Sequence, residues 1–253
     1  MKLVIIVAIN DIIVTNNVVF PNRFVWLHLI LIWLSIFPTS LFFTLFFNLF
    51  SLWIPTIVII CFLPLSIVLY YGLFILFLLF FSKSYLIIIN LIHQPKEGIF
   101  ERSLNDKDFL FFVLRRNLKR FILKIYNSFP LPWAKLLALK ILDIKIPCNT
   151  GVLDSYIDSD FVEIGNNVIL GEGSIIMSSM IVGNLFLIKR VTLKDGCTIG
   201  AFSVISPGTI VEEGAILGMG SYTKVNQCLK QNSIHIGRPA KRWKNIQNME
   251  NKK

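Results

Sequence analysis

The chain has 253 residues, of which 55% are hydrophobic, and a formal net charge of +10. This length accommodates two small structural modules, and beside them it leaves no room for a large separate catalytic domain. We expect no nucleic-acid partner, because the sequence contains no recognisable nucleic-acid-binding module. The four cysteines show no metal-ligand spacing, so the sequence predicts no metal site.

An uncharged segment dominates the front of the chain. No Asp, Glu, Lys or Arg occurs between Phe24 and Ser82, whereas one membrane-spanning helix needs only about 20 apolar residues. Two spans are predicted, near 24–47 and 53–81, with a turn at 48–52. The alternative is a buried soluble helical hairpin. Residues 1–20 contain a short apolar run without a small-residue cleavage site, so we expect no removable signal peptide.

Two crossings return the chain to the side on which it began. Arg23 precedes the first predicted span, Lys83 follows the second, and the turn between them carries no charge. The positive-inside rule then places both termini and the rest of the chain in the cytoplasm. Residues 1–94 form the predicted membrane module, with membrane lipids as partners.

Residues 95–147 are predicted to form basic amphipathic connector helices. From Phe109 to Tyr126 apolar residues keep roughly helical spacing. The opposite, cationic face comprises Arg115, Arg116, Lys119, Arg120 and Lys124. Such a helix can lie at the headgroup boundary of a membrane; alternatively, it packs on the following domain with its charges solvated. Two prolines between Phe129 and Trp133 predict a rigid bend, and a short helix is expected at 134–142.

A six-residue period marks the last part of the chain. An aliphatic residue returns at every sixth position in two registers separated by a one-residue slip: Ile164, Leu170, Ile176, Val182 and Ile188, then Leu193, Ile199, Ile205, Val211 and Leu217. In the second register, glycine recurs three places after the aliphatic residue, except at Phe202, and a small residue recurs four places after it. This period matches neither a strand nor a helix, so it describes a repeated supersecondary unit. It predicts a parallel β-helix with aliphatic residues inside and glycine at the corners.

The repeats also resemble those of a known family. The matching segments are Ile164-Gly165-Asn166-Asn167-Val168, Leu170-Gly171-Glu172-Gly173-Ser174, Ile199-Gly200-Ala201-Phe202-Ser203 and the closing Ser233-Ile234-His235-Ile236-Gly237-Arg238-Pro239-Ala240-Lys241. In these segments the chain is similar to the hexapeptide-repeat acyltransferases. The resemblance implies a left-handed β-helix over residues 148–253, with three hexapeptides per coil, and a homotrimer. The predicted fold class is therefore α + β, a transmembrane helical hairpin followed by a left-handed parallel β-helix.

The same resemblance implies a function. The family moves an acyl group from a coenzyme A thioester, a co-substrate rather than a permanently bound cofactor, and the expected acceptor is a sugar, amino sugar or lipid-linked group. The implied donor-side residues are Gly218, Gly220, Ser221, Gly237, Arg238 and Lys241. The cations among them suit phosphate oxygens. Alternatively, the basic closing segment is attracted to a membrane surface.

The catalytic base departs from the family pattern. The resemblance implies a histidine from a coil or its loop, but residues 148–233 contain none. His235 is the candidate general base, and its alternative is an ordinary side chain on the last coil. His93 follows the second span and is either an acceptor-side residue or an interfacial side chain. This departure supports a second hypothesis, a non-catalytic membrane-tethered scaffold.

The repeat is irregular between Ile176 and Ile188, where bulky residues occupy the corner and small positions. We expect a bulge or short excursion, and functional residues in solenoids often lie on such interruptions. Ser178, Ser179 and Asn184 are therefore the candidate acceptor contacts. The apolar residues around them are expected to pack on the membrane module or on a neighbouring chain.

Overall fold

The structure is a computed structural model that describes residues 25–245, except 52–54, 56–57, 59–60, 130–131, 153–154 and 159. The predictions made for residues 1–20, for Arg23 and for the centre of the proline bend lie outside the described residues.

Two long apolar helices form an antiparallel hairpin. Helix α1 spans Val25–Ser51 and α2 spans Leu63–Ile92, and the Ser40 and Tyr70 hydroxyls join them at 2.9 Å. Both helices are long and apolar enough to cross a membrane, by length and composition alone. Helix α2 continues past residue 81, where the second predicted span ends. Lys83 consequently lies inside α2 and not after it.

A second helical hairpin packs along α2. Helix α3 spans Lys107–Asn127 and α4 spans Pro132–Ile141. The Tyr126 hydroxyl donates to the Ile75 carbonyl (3.1 Å), and the Phe129 ring lies 5.8 Å from the Tyr71 ring. At the other end of this contact, Lys83 pairs with Asp143 at 2.5 Å. The connector therefore covers one side of α2 from Tyr71 to Lys83.

Short parallel strands stack into three faces of a β-helix. The first face comprises β2 (Gly151–Val152), β5 (Ile169–Leu170), β10 (Thr198–Ile199), β13 (Ile216–Leu217) and β15 (Ser233–Gly237). The second face comprises β3 (Tyr156–Ile157), β6 (Ile175–Ile176) and β11 (Val204–Ile205). The third face comprises β4 (Val162–Ile164), β9 (Val191–Leu193), β12 (Ile210–Val211) and β14 (Cys228–Leu229). The antiparallel strand β16 (Ala240–Asn245) closes the first face.

The chain passes from the third face to the first and then to the second, which makes five coils in the part of the chain that the structure describes. Coil one begins near Lys145, which bridges Glu163 of coil two, so the solenoid starts slightly earlier than residue 148. Ile199 pairs with Leu217, and Leu217 pairs with His235. The residues of each pair lie in successive coils and are three hexapeptides apart in the sequence. The prediction of a parallel β-helix is confirmed, while its left-handedness stays a prediction from the family resemblance.

The aliphatic, small and glycine positions of the repeat lie where the sequence predicts them, inside the solenoid and at its corners. The inward aliphatic residues from Leu170 to Leu217 on the coils are buried, as is the small-residue column from Cys197 to Ala215. The corner glycines have left-handed backbones, with φ of 65° at Gly196. Leucine and isoleucine thus fill the prism while glycine permits the tight corners.

The irregular stretch leaves the coils altogether. Strands β7 (Ser179–Val182) and β8 (Leu185–Ile188) form a hairpin, and β1 (Gly98–Glu101) extends it as a third antiparallel strand. Val182 and Ile188 were assigned to the inward column, which was wrong. Met180 packs on Leu187 and Val225, within this chain and not on the membrane module.

Candidate functional site

The last turn of the solenoid brings four predicted donor-side residues together. The β15–β16 hairpin turns at Gly237, whose φ of 110° favours glycine. The Gly237 amide donates to Ser221 Oγ (3.0 Å), and Arg238 Nε donates to the Gly220 carbonyl (2.6 Å). The exposed Arg238 guanidinium is thereby held at the corner between the first and second faces.

Gly218 and Lys241 flank this turn. The Gly218 amide donates to the His235 carbonyl (2.7 Å), and a Cβ at Gly218 would lie 2.5 Å from Ile236 Cγ2. Lys241 lies opposite Ile236 across the hairpin and is exposed, as is its neighbour Arg242. The end of the solenoid therefore carries a cationic turn, Arg238 to Arg242, whose donors match phosphate oxygens.

His235 occupies the inward column of the last coil. It is 4% exposed, and its Nε2 lies 2.9 Å from Ser233 Oγ. Nδ1 is buried and has no hydrogen-bond partner among the described residues. Burial, together with the nearby positive charge of Arg242, lowers the pKa of His235 and favours the neutral ring. In this conformation His235 is a core side chain, and neither ring nitrogen is open to an acceptor.

The structure keeps two of the predicted acceptor contacts, Ser178 and Ser179, together and separates Asn184 from them. Ser178 and Ser179 are fully buried. The Ser179 hydroxyl donates to Asp158 Oδ2 (2.5 Å), and the Ser178 hydroxyl lies 3.2 Å from the same oxygen. Asn184 lies at the exposed tip of the β7–β8 hairpin. Of the three, only Asn184 is accessible to a molecule arriving from outside.

A buried ion-pair network joins α3 to the corner between the second and third faces. Arg115 Nε lies 3.1 Å from Asp160 Oδ2, Lys119 Nζ lies 2.8 Å from Asp160 Oδ1, and Arg116 Nε lies 3.3 Å from Asp158 Oδ1. All five residues are buried. The prediction that these three cations face lipid or solvent was wrong, because carboxylates of the solenoid neutralise them.

The network is electrostatically compensated. Burial disfavours the charged form of Asp160, but Lys119 and Arg115 outweigh it and hold the pKa of Asp160 below its ordinary value. Burial also opposes the charge of Arg116, yet Asp158 and Tyr156 raise the pKa of Arg116 above its ordinary value. Such compensated pairs suit a junction that fixes how α3 sits on the solenoid.

His93, at the end of α2, belongs to the same junction. Its Nε2 lies 2.9 Å from Asp108 Oδ1, and its ring stacks on Phe111 with a centroid distance of 4.8 Å. A carboxylate–imidazole pair can orient a general base. However, Nδ1 is buried without a partner among the described residues, and the His93 carbonyl accepts from Arg115 (3.0 Å). Its contacts are those of a residue that packs α2 against α3.

Within the part of the chain that the structure describes, no group of three His, Cys, Asp or Glu side chains is arranged to hold a metal ion.

Cysteine reactivity can test the packing of the coils. Burial raises the pKa of the Cys197 thiol to about 12, so its thiolate is scarce at about pH 8.

We expect iodoacetamide at about pH 8 to modify the exposed Cys148 and Cys228 and to leave the buried Cys197 unmodified. Peptide mass spectrometry reads each site separately. In denaturant all three thiols should react, which controls for peptide recovery. Equal rates at the three sites in the folded protein would contradict the buried position of Cys197.

Comparison with known proteins finds similarity at the level of solved structures. No protein-family profile and no curated protein matches the sequence. A maltose O-acetyltransferase from Clostridium difficile 630 aligns at 16% identity and a TM-score of 0.49, over 59% of this chain and 93% of that one. A hexapeptide-repeat containing acetyltransferase from Vibrio cholerae aligns at 13% identity and a TM-score of 0.44, over 53% and 92%.

A galactoside acetyltransferase in complex with coenzyme A aligns at 14% identity and a TM-score of 0.45, over 55% of this chain and 84% of that one. With TM-scores this low, the alignments add no argument to the parallel strand stacks. Those stacks define the solenoid by themselves.

Proposed function

We propose that this protein is a membrane-anchored acyltransferase that moves an acetyl or other acyl group from coenzyme A to a sugar, amino sugar or lipid-linked acceptor. The observation that carries the proposal is the cationic turn at the end of the solenoid, where Arg238 is fixed on Gly220 and Lys241 is exposed. This turn lies in the closing segment that resembles the hexapeptide-repeat acyltransferases. Its cations would bind the phosphates of the donor.

In the proposed reaction, the acceptor oxygen or nitrogen attacks the thioester carbon, the coenzyme A thiolate leaves, and the acceptor proton passes to a base. The pantetheine arm would lie against the backbone near Gly218 and Gly220. For His235 to act as the base, its Nε2 must exchange Ser233 for the acceptor. The lowered pKa of His235 keeps the ring neutral and able to accept that proton.

We infer further that α1 and α2 anchor the protein in a membrane, with both termini and the solenoid in the cytoplasm. Support comes from the many exposed apolar side chains on both helices, among them Trp33, Phe37 and Leu91, and from the uncharged sequence between them. The homotrimer implied by the family resemblance is part of the same proposal.

The donor site can be tested by calorimetric titration of the detergent-purified protein with acetyl coenzyme A. We expect saturable binding in the wild type and a loss of about tenfold or more in affinity in Arg238→Ala/Lys241→Ala, because charged hydrogen bonds to phosphate contribute on the order of 1.5–3 kcal/mol each. Lys230→Ala is the matched control, since Lys230 is exposed in the same coil at another corner. No binding by the wild type at millimolar donor would remove the enzyme proposal.

The second candidate is a non-catalytic, membrane-tethered assembly platform. It is favoured by the burial of His235, which leaves no open imidazole on the described coils, and by the pairing of His93 with Asp108. Under this proposal Arg238→Ala/Lys241→Ala leaves the cellular role intact, whereas the enzyme proposal expects that role to be lost. A complementation assay separates the two.

A further inference from the structure

The corners of the solenoid form ridges of contrasting chemistry. We call the corner between the first and second faces the apolar ridge. In coils three, four and five it exposes Phe202, Met219 and Ile236, at 66%, 76% and 41% of their surfaces. The corner between the third and first faces is the polar ridge. In the same three coils it exposes Asp195, Glu213 and Gln231.

Both the backbone conformation and the exposure of Phe202 are unfavourable in an isolated solenoid. Its φ of 54° lies in the left-handed region that glycine prefers, and two thirds of its surface is exposed. The ring covers Gly173 of the coil below, where a Cβ would lie 2.6 Å from the ring. A contiguous row of exposed apolar side chains on a protein surface marks a contact surface.

The contacts of α4 show which way the apolar ridge faces. Lys140 Nζ lies 3.3 Å from Cys148 Sγ, at the start of the polar ridge, and Lys135 Nζ lies 3.5 Å from the Ser155 carbonyl, at the start of the apolar ridge. The direction along α4 from Lys140 to Lys135 points towards Phe129. The Phe129 ring contacts Tyr71 of α2. Lower residue numbers in α2 lead to the far end of the α1–α2 hairpin. The apolar ridge is therefore on the side towards which that hairpin extends.

Helix α4 continues the apolar surface on this side. Trp133, at its N-terminal end, is 61% exposed, and Leu137 lies one turn further on and is also exposed. Tryptophan is enriched where apolar surface meets lipid headgroups. Arg238 lies at the coil-five end of the ridge. Among its described residues, the ridge carries one exposed acid, Glu172 of coil two.

We propose that the apolar ridge, with Trp133 and Leu137, rests on the lipid surface into which the α1–α2 hairpin inserts. The proposal rests on the proposed membrane anchoring and not on acyl transfer. Apolar side chains at the headgroup boundary gain burial, and Arg238 gains an anionic surface. The cationic turn then lies at the membrane surface. If the protein is the proposed acyltransferase, this position favours a lipid-linked head group over a free sugar as the acceptor.

Lipid contact can be measured at one position on each ridge. We would label Met219→Cys with an environment-sensitive nitrobenzoxadiazole probe after replacing Cys61, Cys148 and Cys228 by Ser, and reconstitute the full chain in nanodiscs containing anionic and spin-labelled lipids. Glu213→Cys is the matched control, because it lies in the same coil on the polar ridge. We expect spin-labelled lipid to quench the probe at residue 219 several-fold more strongly than the probe at residue 213.

Each other outcome overturns the proposal. Equal quenching at the two positions means that the ridge does not face lipid. A probe at residue 219 that is shielded but not quenched, with disulfide cross-links between copies, assigns the ridge to a second copy of this chain. Failure of the protein to enter nanodiscs removes the anchoring itself. Donor titration is measured separately, so loss of the ridge contact is distinguishable from failure of the acyltransferase proposal.

Discussion

Replacement of Asp160 by Ala is expected to destabilise the protein by about 3–5 kcal/mol, since removing one partner of a buried ion pair leaves an uncompensated charge. Here the same carboxylate serves both Arg115 and Lys119, and both cations are buried. For a protein of this size the loss corresponds to a fall in Tm on the order of 10 °C. Thermal unfolding of the detergent-solubilised protein measures it.

A surface ion pair provides the control for this variant. Glu212 accepts from Lys194 at 2.6 Å, but both side chains are partly exposed. Surface pairs contribute little because water and salt screen them, so Glu212→Ala should leave Tm nearly unchanged. If Asp160→Ala unfolds no earlier than Glu212→Ala, the ion-pair network does not hold α3 on the solenoid.

The network also predicts a pH dependence. The pKa of Asp160 is lowered in the folded protein from an ordinary value of 3.8, so the folded state binds its proton less tightly than the unfolded state. The stabilisation from this carboxylate is therefore fully present above the ordinary value and is lost as the pH falls through the lower folded pKa. Asp160→Asn, which does not titrate, should lose this part of the acid dependence of Tm.

Sequence periodicity predicted most of the solenoid because packing inside a narrow prism imposes a strict column rule. The rule also produced one error. Val182 and Ile188 have the six-residue spacing, yet they lie in the β7–β8 hairpin. Val182 packs beside Met180 on one face of this hairpin, and Ile188 packs beside Phe186 on the other, so six-residue spacing alone cannot separate a coil from a hairpin. The pairing of β1 with β8 comes from outside the repeat and has no periodic signal.

The candidate site was predictable where a local motif determined it. The Gly237–Lys241 segment has a recognisable pattern, and the structure places Gly237 and Arg238 beside Ser221 and Gly220. The α3 network has no such pattern, because Arg115 and Asp160 are 45 positions apart and meet only after folding. Amphipathic spacing identified the cationic face of α3. It gave no information on whether lipid, water or carboxylates cover that face.

Two glycine columns in the repeat serve different purposes, and only one was recognised from the sequence. Glycines such as Gly214 supply a left-handed corner, with φ of 61°. Others directly follow an inward aliphatic residue and have no positive φ. At Gly200 a Cβ would lie 2.5 Å from the Met219 amide nitrogen, and at Gly171 it would lie 2.5 Å from that of Ala201. These glycines set the distance between successive coils.

Gly200→Ala is therefore expected to destabilise the solenoid by about 3 kcal/mol, the upper part of the usual range for overpacking. The methyl group would meet backbone of the next coil, which no rotamer change can move aside. Gly151→Ala is the matched control on the same face, because the nearest atom there, the Val168 carbonyl oxygen, is 4.0 Å from the added Cβ. Thermal unfolding should place Gly200→Ala roughly 6–12 °C below Gly151→Ala. Equal Tm values would show that coils three and four are further apart than the structure has them, since a methyl group could then be inserted between them without cost.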